Sequence, residues 1–314
     1  APRAATPAIA HAPNAPTIAQ VPRATAVQSM SEPSEACRKL LGMTKELEAI
    51  PGMATRLLQV LDDPKSSVDS IKQEICRDQG LMTMVLRMAN SAFYGARGQV
   101  RDITESIVVL GYDTTRQLVM GQLSRQVLRK NDVWQKALWR HALATGLAAQ
   151  ACAREVKGVT VAHAFTAGLL HDIGKAVIHE ASPERCIEIW KMIGDSRRPS
   201  QEVEREHLGT DHNEVGAELL TTWDFPPVYR TVVRYHASGS DVRRLSDKDR
   251  RIVSMVTLAG AVSSWMGYAA IPDSSGSDPH DHEMLLELGA FSSLVDLMKE
   301  HVENELSNLA EVLG

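Results

Sequence analysis

The sequence predicts an all-α protein, a bundle of about 12–14 helices in which an N-terminal helical half packs on a second helical half. Three observations predict it. From Ser34 onward apolar residues recur at steps of three and four, and no alternating run is long enough to make a convincing strand. Aromatic residues are only 4% of the chain, so the core rests on Leu, Val, Ile, Met and Ala, which favour helices. Helix-start and helix-stop residues punctuate the chain at matching intervals.

Residues 1–33 carry Pro2, Pro7, Pro13, Pro16, Pro22 and Pro33 among alanines, without an apolar period. Such a segment cannot repay its ordering entropy, and the expectation is disorder. Ser34 is a suitable N-cap for a helix over Glu35 to Ala49. Pro51 opens a second helix, which Asp62-Asp63-Pro64 ends. Val68 to Arg77 and Leu81 to Asn90 give two more, followed by a loop, Ser91 to Gly95. Ile103 to Leu110 is helical and stops at Gly111, and Thr114 to Leu128 is the next amphipathic helix.

The second half, residues 131–268, follows. Trp134, Leu138, His141, Thr145, Ala148 and Cys152 fall on one helical stripe, which places His141 on a buried face. Ala162 to Leu170 is an apolar run closed by His171-Asp172, and Lys175 lies one turn beyond His171 on the same face. Ser182-Pro183-Glu184 starts a helix through Trp190 and Met192. Asp211-x-x-Glu214 reads as a capping box for a helix through Leu219 and Leu220. Val228 to His236 and Arg251 to Met266 complete this half. Residues 269–314 comprise a Ser/Asp/Gly linker and a final helix with Phe291, Val295, Met298, Val302, Leu306, Leu309 and Leu313 on one stripe. That helix suits packing on the core or binding a partner helix, a homodimer among the options.

A formal net charge of −5 argues against a dedicated nucleic-acid surface, and the basic stretch Arg243 to Arg251 is interleaved with Asp247 and Asp249. Four cysteines lie far apart with no Cys-x-x-Cys pair, which predicts reduced thiols in a cytoplasmic protein. No apolar run is long enough to span a membrane.

The chemistry concentrates at His141, His171-Asp172, His212 and His236, carried on separate helices or helix ends. A buried His-Asp doublet is costly without a partner, so it is either hydrogen-bonded within the core or holds a metal. Neutral imidazole and carboxylate are common ligands of divalent transition metals, and separate helices of a bundle can converge on one point. Asp172 would bridge ions, and Lys175 would offset the charge of a phosphate.

The motif Gly168-Leu169-Leu170-His171-Asp172-Ile173-Gly174-Lys175 resembles that of the HD superfamily of metal-dependent phosphohydrolases. A longer pattern resembles the HD-related output domain, HDOD. It comprises Ile50-Pro51-Gly52-Met53, Asp78-Gln79-Gly80-Leu81, Asn90-Ser91-Ala92-Phe93-Tyr94-Gly95, Ser106-Ile107 to Leu110-Gly111, His212 to Ala217 and Trp223-x-Phe225-Pro226. Residues 34–130 are then the N-terminal half of the domain and 131–268 its HD-like half. The resemblance implies a bacterial signal-transduction module with a protein partner or a nucleotide or cyclic-dinucleotide ligand. Similarity to the HD-GYP phosphodiesterase branch puts His141, His171, Asp172, His212 and His236 on ligand positions for Fe, Mn, Zn or Ni. It puts Asp172 and Lys175 on catalytic positions.

Two departures weigh against catalysis. The paired histidines of that branch correspond to Tyr235-His236, and the closing Asp of the superfamily corresponds to Gly260 in Leu258-Ala259-Gly260. The expectation is a signalling output module acting mainly by binding, with a partly retained metal site. The alternative is a metal-dependent phosphohydrolase acting on a nucleotide or cyclic dinucleotide.

Overall fold

Helices are the regular structure throughout the described residues, with no strand among them. The computed structural model describes residues 32–44, 51–63, 65–90, 100–127, 132–196, 198–237, 239–269, 271 and 278–313. Most of the expected disordered segment, residues 1–31, lies outside them. So do positions 45–49 of the first expected helix, the loop 91–95 and linker positions 273–277.

The N-terminal half contains α1 (Glu35–Gly42), α2 (Pro51–Asp62), α3 (Val68–Ile75), α4 (Gln79–Ala89) and α5 (Ile103–Val127). Ser34 caps α1 by accepting from the Cys37 N–H. The expected stop at Gly111 is a break within α5, where φ is 76° and ψ 167°, a backbone state open to glycine. Asn90 ends α4 and pins the chain ten residues later. Its side-chain amide donates to the Val100 and Leu86 carbonyls and accepts from the Val100 N–H.

The second half runs through α6 (Val133–Glu155), α7 (Val161–Leu170), α8 (Ile173–Ala181), α9 (Pro183–Ser196), α10 (Ser200–Leu208), α11 (His212–Thr222), α12 (Pro227–Tyr235) and α13 (Asp247–Ser263). Two short segments differ from the sequence expectation. Ser200–Leu208 is a helix that the sequence reading left out, and α13 starts at Asp247 rather than Arg251 because Ser246 caps it. A six-residue helix, α14 (Glu283–Leu288), precedes the last one, α15 (Ser293–Leu313). Val295, Met298 and Val302 are buried as expected, but Phe291 precedes the helix and is 84% exposed. It therefore does not share the buried stripe.

Small residues decide how the second half packs. From His141 to Ala153 every residue of α6 is buried, a broader burial than the single stripe expected. Its Ala and Gly residues let α7, α13 and α15 pack around it. A Cβ on Gly168 would sit 2.8 Å from the Gly146 Cα, so α6 and α7 touch backbone to backbone. A Cβ on Gly174 would sit 1.9 Å from the His212 carbonyl oxygen, and one on Gly216 would sit 2.9 Å from the Gly174 N. The α8–α11 crossing therefore tolerates no side chain at either position.

The two halves meet around Arg116, which is 4% exposed. Its guanidinium reaches Tyr229 Oη at 3.0 Å, Thr166 Oγ1 at 3.4 Å and the Leu61 carbonyl at 3.5 Å, joining α5 to α12, α7 and the end of α2. Helix α1 also packs on the second half, against α8 and α11. The four cysteines are unpaired, with Cys37, Cys152 and Cys186 buried and Cys76 exposed.

Gly174→Ala is expected to cost about 3 kcal/mol, the upper end for overpacking, because backbone has to move at α11. Urea denaturation measures it, and an unchanged midpoint would contradict the contact. Tyr229→Phe removes one hydrogen bond to a buried charge and is expected to lower stability by about 1.5–3 kcal/mol in the same assay.

Candidate metal centre

The glycine crossings carry the site residues together. The α6–α7 contact brings His141, on α6, against the end of α7. The α8–α11 contact brings His212, the first residue of α11, against the start of α8. His171 is the C-cap of α7 and Asp172 the N-cap of α8, so the doublet sits at a break between two helices. Asp172 makes no side-chain cap to its own helix, although an N-cap Asp ordinarily does. Its carboxylate turns inward instead. His236 is the C-cap of α12.

All five predicted ligands converge. Asp172 Oδ2 lies 3.4 Å from His171 Nε2 and 3.6 Å from His141 Nε2. Its Oδ1 lies 3.4 Å from His236 Nε2 and 3.6 Å from His212 Nε2. The result is two triads sharing one carboxylate: His141, His171 and Asp172, and Asp172, His212 and His236. Two donors each about 2.1 Å from one tetrahedral ion stand about 3.4 Å apart, so these spacings are those of ligands around a transition metal. Lys175 Nζ lies 2.8 Å from Asp172 Oδ2.

The far sides of the rings are held. His171 Nδ1 bonds the Gly168 carbonyl at 2.7 Å and His236 Nδ1 bonds the Val233 carbonyl at 3.1 Å. His212 Nδ1 bonds Glu204 Oε2 at 2.5 Å, and the same oxygen accepts the His212 backbone N–H at 2.9 Å. A carbonyl or carboxylate at Nδ1 fixes the tautomer that leaves Nε2 free to ligate. Asp172 Oδ1 and His212 Nε2 have no hydrogen-bond partner. Buried atoms of that kind are costly, and a cation between them would satisfy both.

Burial pulls His141 down to about 4 and holds His171 and His236 below their ordinary range, so these rings are neutral at physiological pH. Burial also pulls on His212, but the Glu204 charge outweighs it and raises that ring. Burial alone would raise the Asp172 carboxyl. Lys175, followed by the surrounding imidazoles, outweighs it and keeps the group well below the usual carboxylate range.

Glu204 was not among the sequence candidates. It is fully buried on α10, whose sequence SQEVEREHL has too few apolar residues to show a stripe. The available signal was punctuation, Pro199 before the helix and Gly209 after it in the left-handed conformation. The capping box at Asp211 forms by half. Asp211 Oδ1 accepts from the Glu214 N–H, but the Glu214 carboxylate bonds the Ser34 N–H, Ser34 Oγ and Thr210 Oγ1 instead of reaching back. Gly260 faces the site as expected, since a Cβ there would lie 3.9 Å from His171 Nε2. His280, expected in a linker without a role, bonds Asp278 and Asp296 away from this centre.

A family model described as the HDOD domain matches residues 47–238. The chain belongs to the HDOD family. The crystal structure of an HDOD domain protein from Geobacter sulfurreducens has a TM-score of 0.74 at 21% identity, over 88% of this chain and 96% of that one. It shares the helical fold. An uncharacterized protein of Treponema pallidum is 27% identical over 194 residues, 60% of this chain and 38% of that protein. A ribonuclease Y of Geobacter metallireducens is 29% identical over 132 residues, 41% of this chain and 25% of that protein. The HDOD chain thus spans well under half the length of these curated relatives. Among its described residues, no helix is long and apolar enough to cross a membrane.

Glu204→Ala is expected to weaken divalent-metal binding by about 10–100-fold, the usual effect of losing a partner behind a ligating histidine. Isothermal titration of the metal-free protein with Mn²⁺ measures it. Equal affinity in wild type and variant would remove Glu204 from the site.

Proposed function

We propose that this HDOD protein is a bacterial signal-transduction output module that binds a divalent metal and acts through a protein partner or a nucleotide-type ligand. One observation carries the reading: Asp172 Oδ1 and His212 Nε2 are buried and unpaired 3.6 Å apart, with His236 Nε2 beside them. Imidazole and carboxylate donors of this kind suit Fe, Mn, Zn or Ni.

Binding is favoured over turnover for two reasons. Gly260 supplies no side chain where the HD superfamily pattern has its closing Asp. Lys175, the residue suited to a substrate phosphate, is committed to Asp172 at 2.8 Å. When bound, a divalent ion supplies a Lewis-acid contact for phosphate oxygens and acidifies water. The chain's own contributions are orientation and exclusion of water. The Gly168 and Val233 carbonyls and Glu204 aim the rings, and burial keeps His171 and His236 neutral.

A second reading, a phosphodiester hydrolase, is supported by the similarity to proteins named ribonuclease Y and by the retention of Asp172 and Lys175. Metal analysis of purified protein, with hydrolysis of bis-p-nitrophenyl phosphate and cyclic di-GMP after Mn²⁺ loading, separates the readings. The expected result is bound metal with hydrolysis no faster than in His171→Ala. Absence of metal before and after loading overturns the proposal. Hydrolysis lost in a folded Asp172→Ala variant establishes the second reading.

A further inference from the structure

The two triads share Asp172 but differ in what already fills them. On one side, Asp172 Oδ2 accepts from the Lys175 ammonium. His171 Nδ1 donates to the Gly168 carbonyl, so His171 Nε2 carries a lone pair. The 3.2 Å contact between His141 Nε2 and His171 Nε2 then requires His141 to donate. The Tyr268 backbone also acts on this ring, but His141 Nδ1 has no partner in hydrogen-bond geometry, so the contact with His171 is the one that places the His141 proton on Nε2. This side holds one cation, one imidazole N–H pointing inward, and Gly260 instead of a second carboxylate.

The other side is its electrostatic opposite. His212 and His236 have their Nδ1 protons engaged by Glu204 and the Val233 carbonyl, so in their neutral forms both rings present Nε2 lone pairs. They face the unpaired Asp172 Oδ1. Among the described residues no hydrogen-bond donor reaches Asp172 Oδ1 or His212 Nε2 in good geometry, and Glu204 adds a second buried carboxylate behind His212. With the two Nε2 atoms 3.6 and 3.4 Å from Asp172 Oδ1 in a buried pocket, three electron-rich atoms repel unless a cation separates them.

We infer that the centre is built for one divalent ion rather than two, seated between Asp172 Oδ1, His212 Nε2 and His236 Nε2, with Lys175 occupying the charge position of a second ion. The inference rests on the metal-binding reading above and specifies its stoichiometry and ligands. It assigns Lys175 a structural charge in the resting centre. The two histidines of the His141–His171 pair become a hydrogen-bonded wall of the site, with the space at Gly260 beside them.

The test is Mn²⁺ stoichiometry and affinity of the full chain, by elemental analysis after desalting and by electron paramagnetic resonance of free Mn²⁺ during titration. Circular dichroism confirms folding of each variant. Wild type is expected to take one ion per chain. His212→Ala and His236→Ala should each lose at least about tenfold in affinity, while His141→Ala stays within about threefold, as removal of a ligand and of a non-ligand imply. Lys175→Met combined with Gly260→Asp should take two ions. Two ions in wild type, or equal losses in His141→Ala and His212→Ala, overturn the inference and leave the metal-binding reading standing. A single ion in the Lys175→Met, Gly260→Asp variant overturns the role given to Lys175. No ion in wild type overturns the inference and the metal-binding reading together.

Discussion

Everything around the centre follows from burying one ionised carboxylate. Asp172 is 3% exposed, and a lone charge at that depth would be neutralised or expelled. The fold instead surrounds it with the Lys175 ammonium and four imidazoles from helices far apart in sequence. Delivering those groups requires helices to approach closer than side chains normally allow. The glycines at 146, 168, 174 and 216 provide that approach. The family motif around His171 thus combines two demands. Its His and Asp carry the chemistry, and its flanking glycines carry the geometry.

Much of this was legible in the sequence because helix periodicity and capping are local. Ser34 and Asp211 cap the helices that follow them, and Gly111 breaks α5. The convergence of the five candidate residues was also legible, since buried polar residues on apolar stripes stand out against their background. What was hidden is non-local or lacks contrast. Glu204 sits on a helix so rich in charge that its one buried acid looks like its solvent-facing neighbours. The inward turn of Asp172 and the diversion of Glu214 to Ser34 depend on which helix passes nearby, information that no short window of sequence holds. Phe291 fitted the stripe by spacing, yet the helix starts two residues later.

Gly260 leaves the backbone of α13 packed on α6 and α7 and places no side chain beside His171. A position without negative charge attracts a dication less than a carboxylate would, and it leaves the helices undisturbed. Lys175 then balances Asp172 internally. The two features are linked, because an ammonium at Asp172 Oδ2 is favourable only where no dication competes for the same oxygen.

Glu214 ties the start of α1 to the edge of the centre. The Ser34 backbone N–H and hydroxyl, at the N-cap of that helix, are both held by the Glu214 carboxylate. Glu214 is two residues from His212 on the same first turn of α11. A displacement of α1 is therefore borne at the helix end that sets the position of the His212 imidazole. Slack or strain at Ser34 is mechanically one helical turn from the centre.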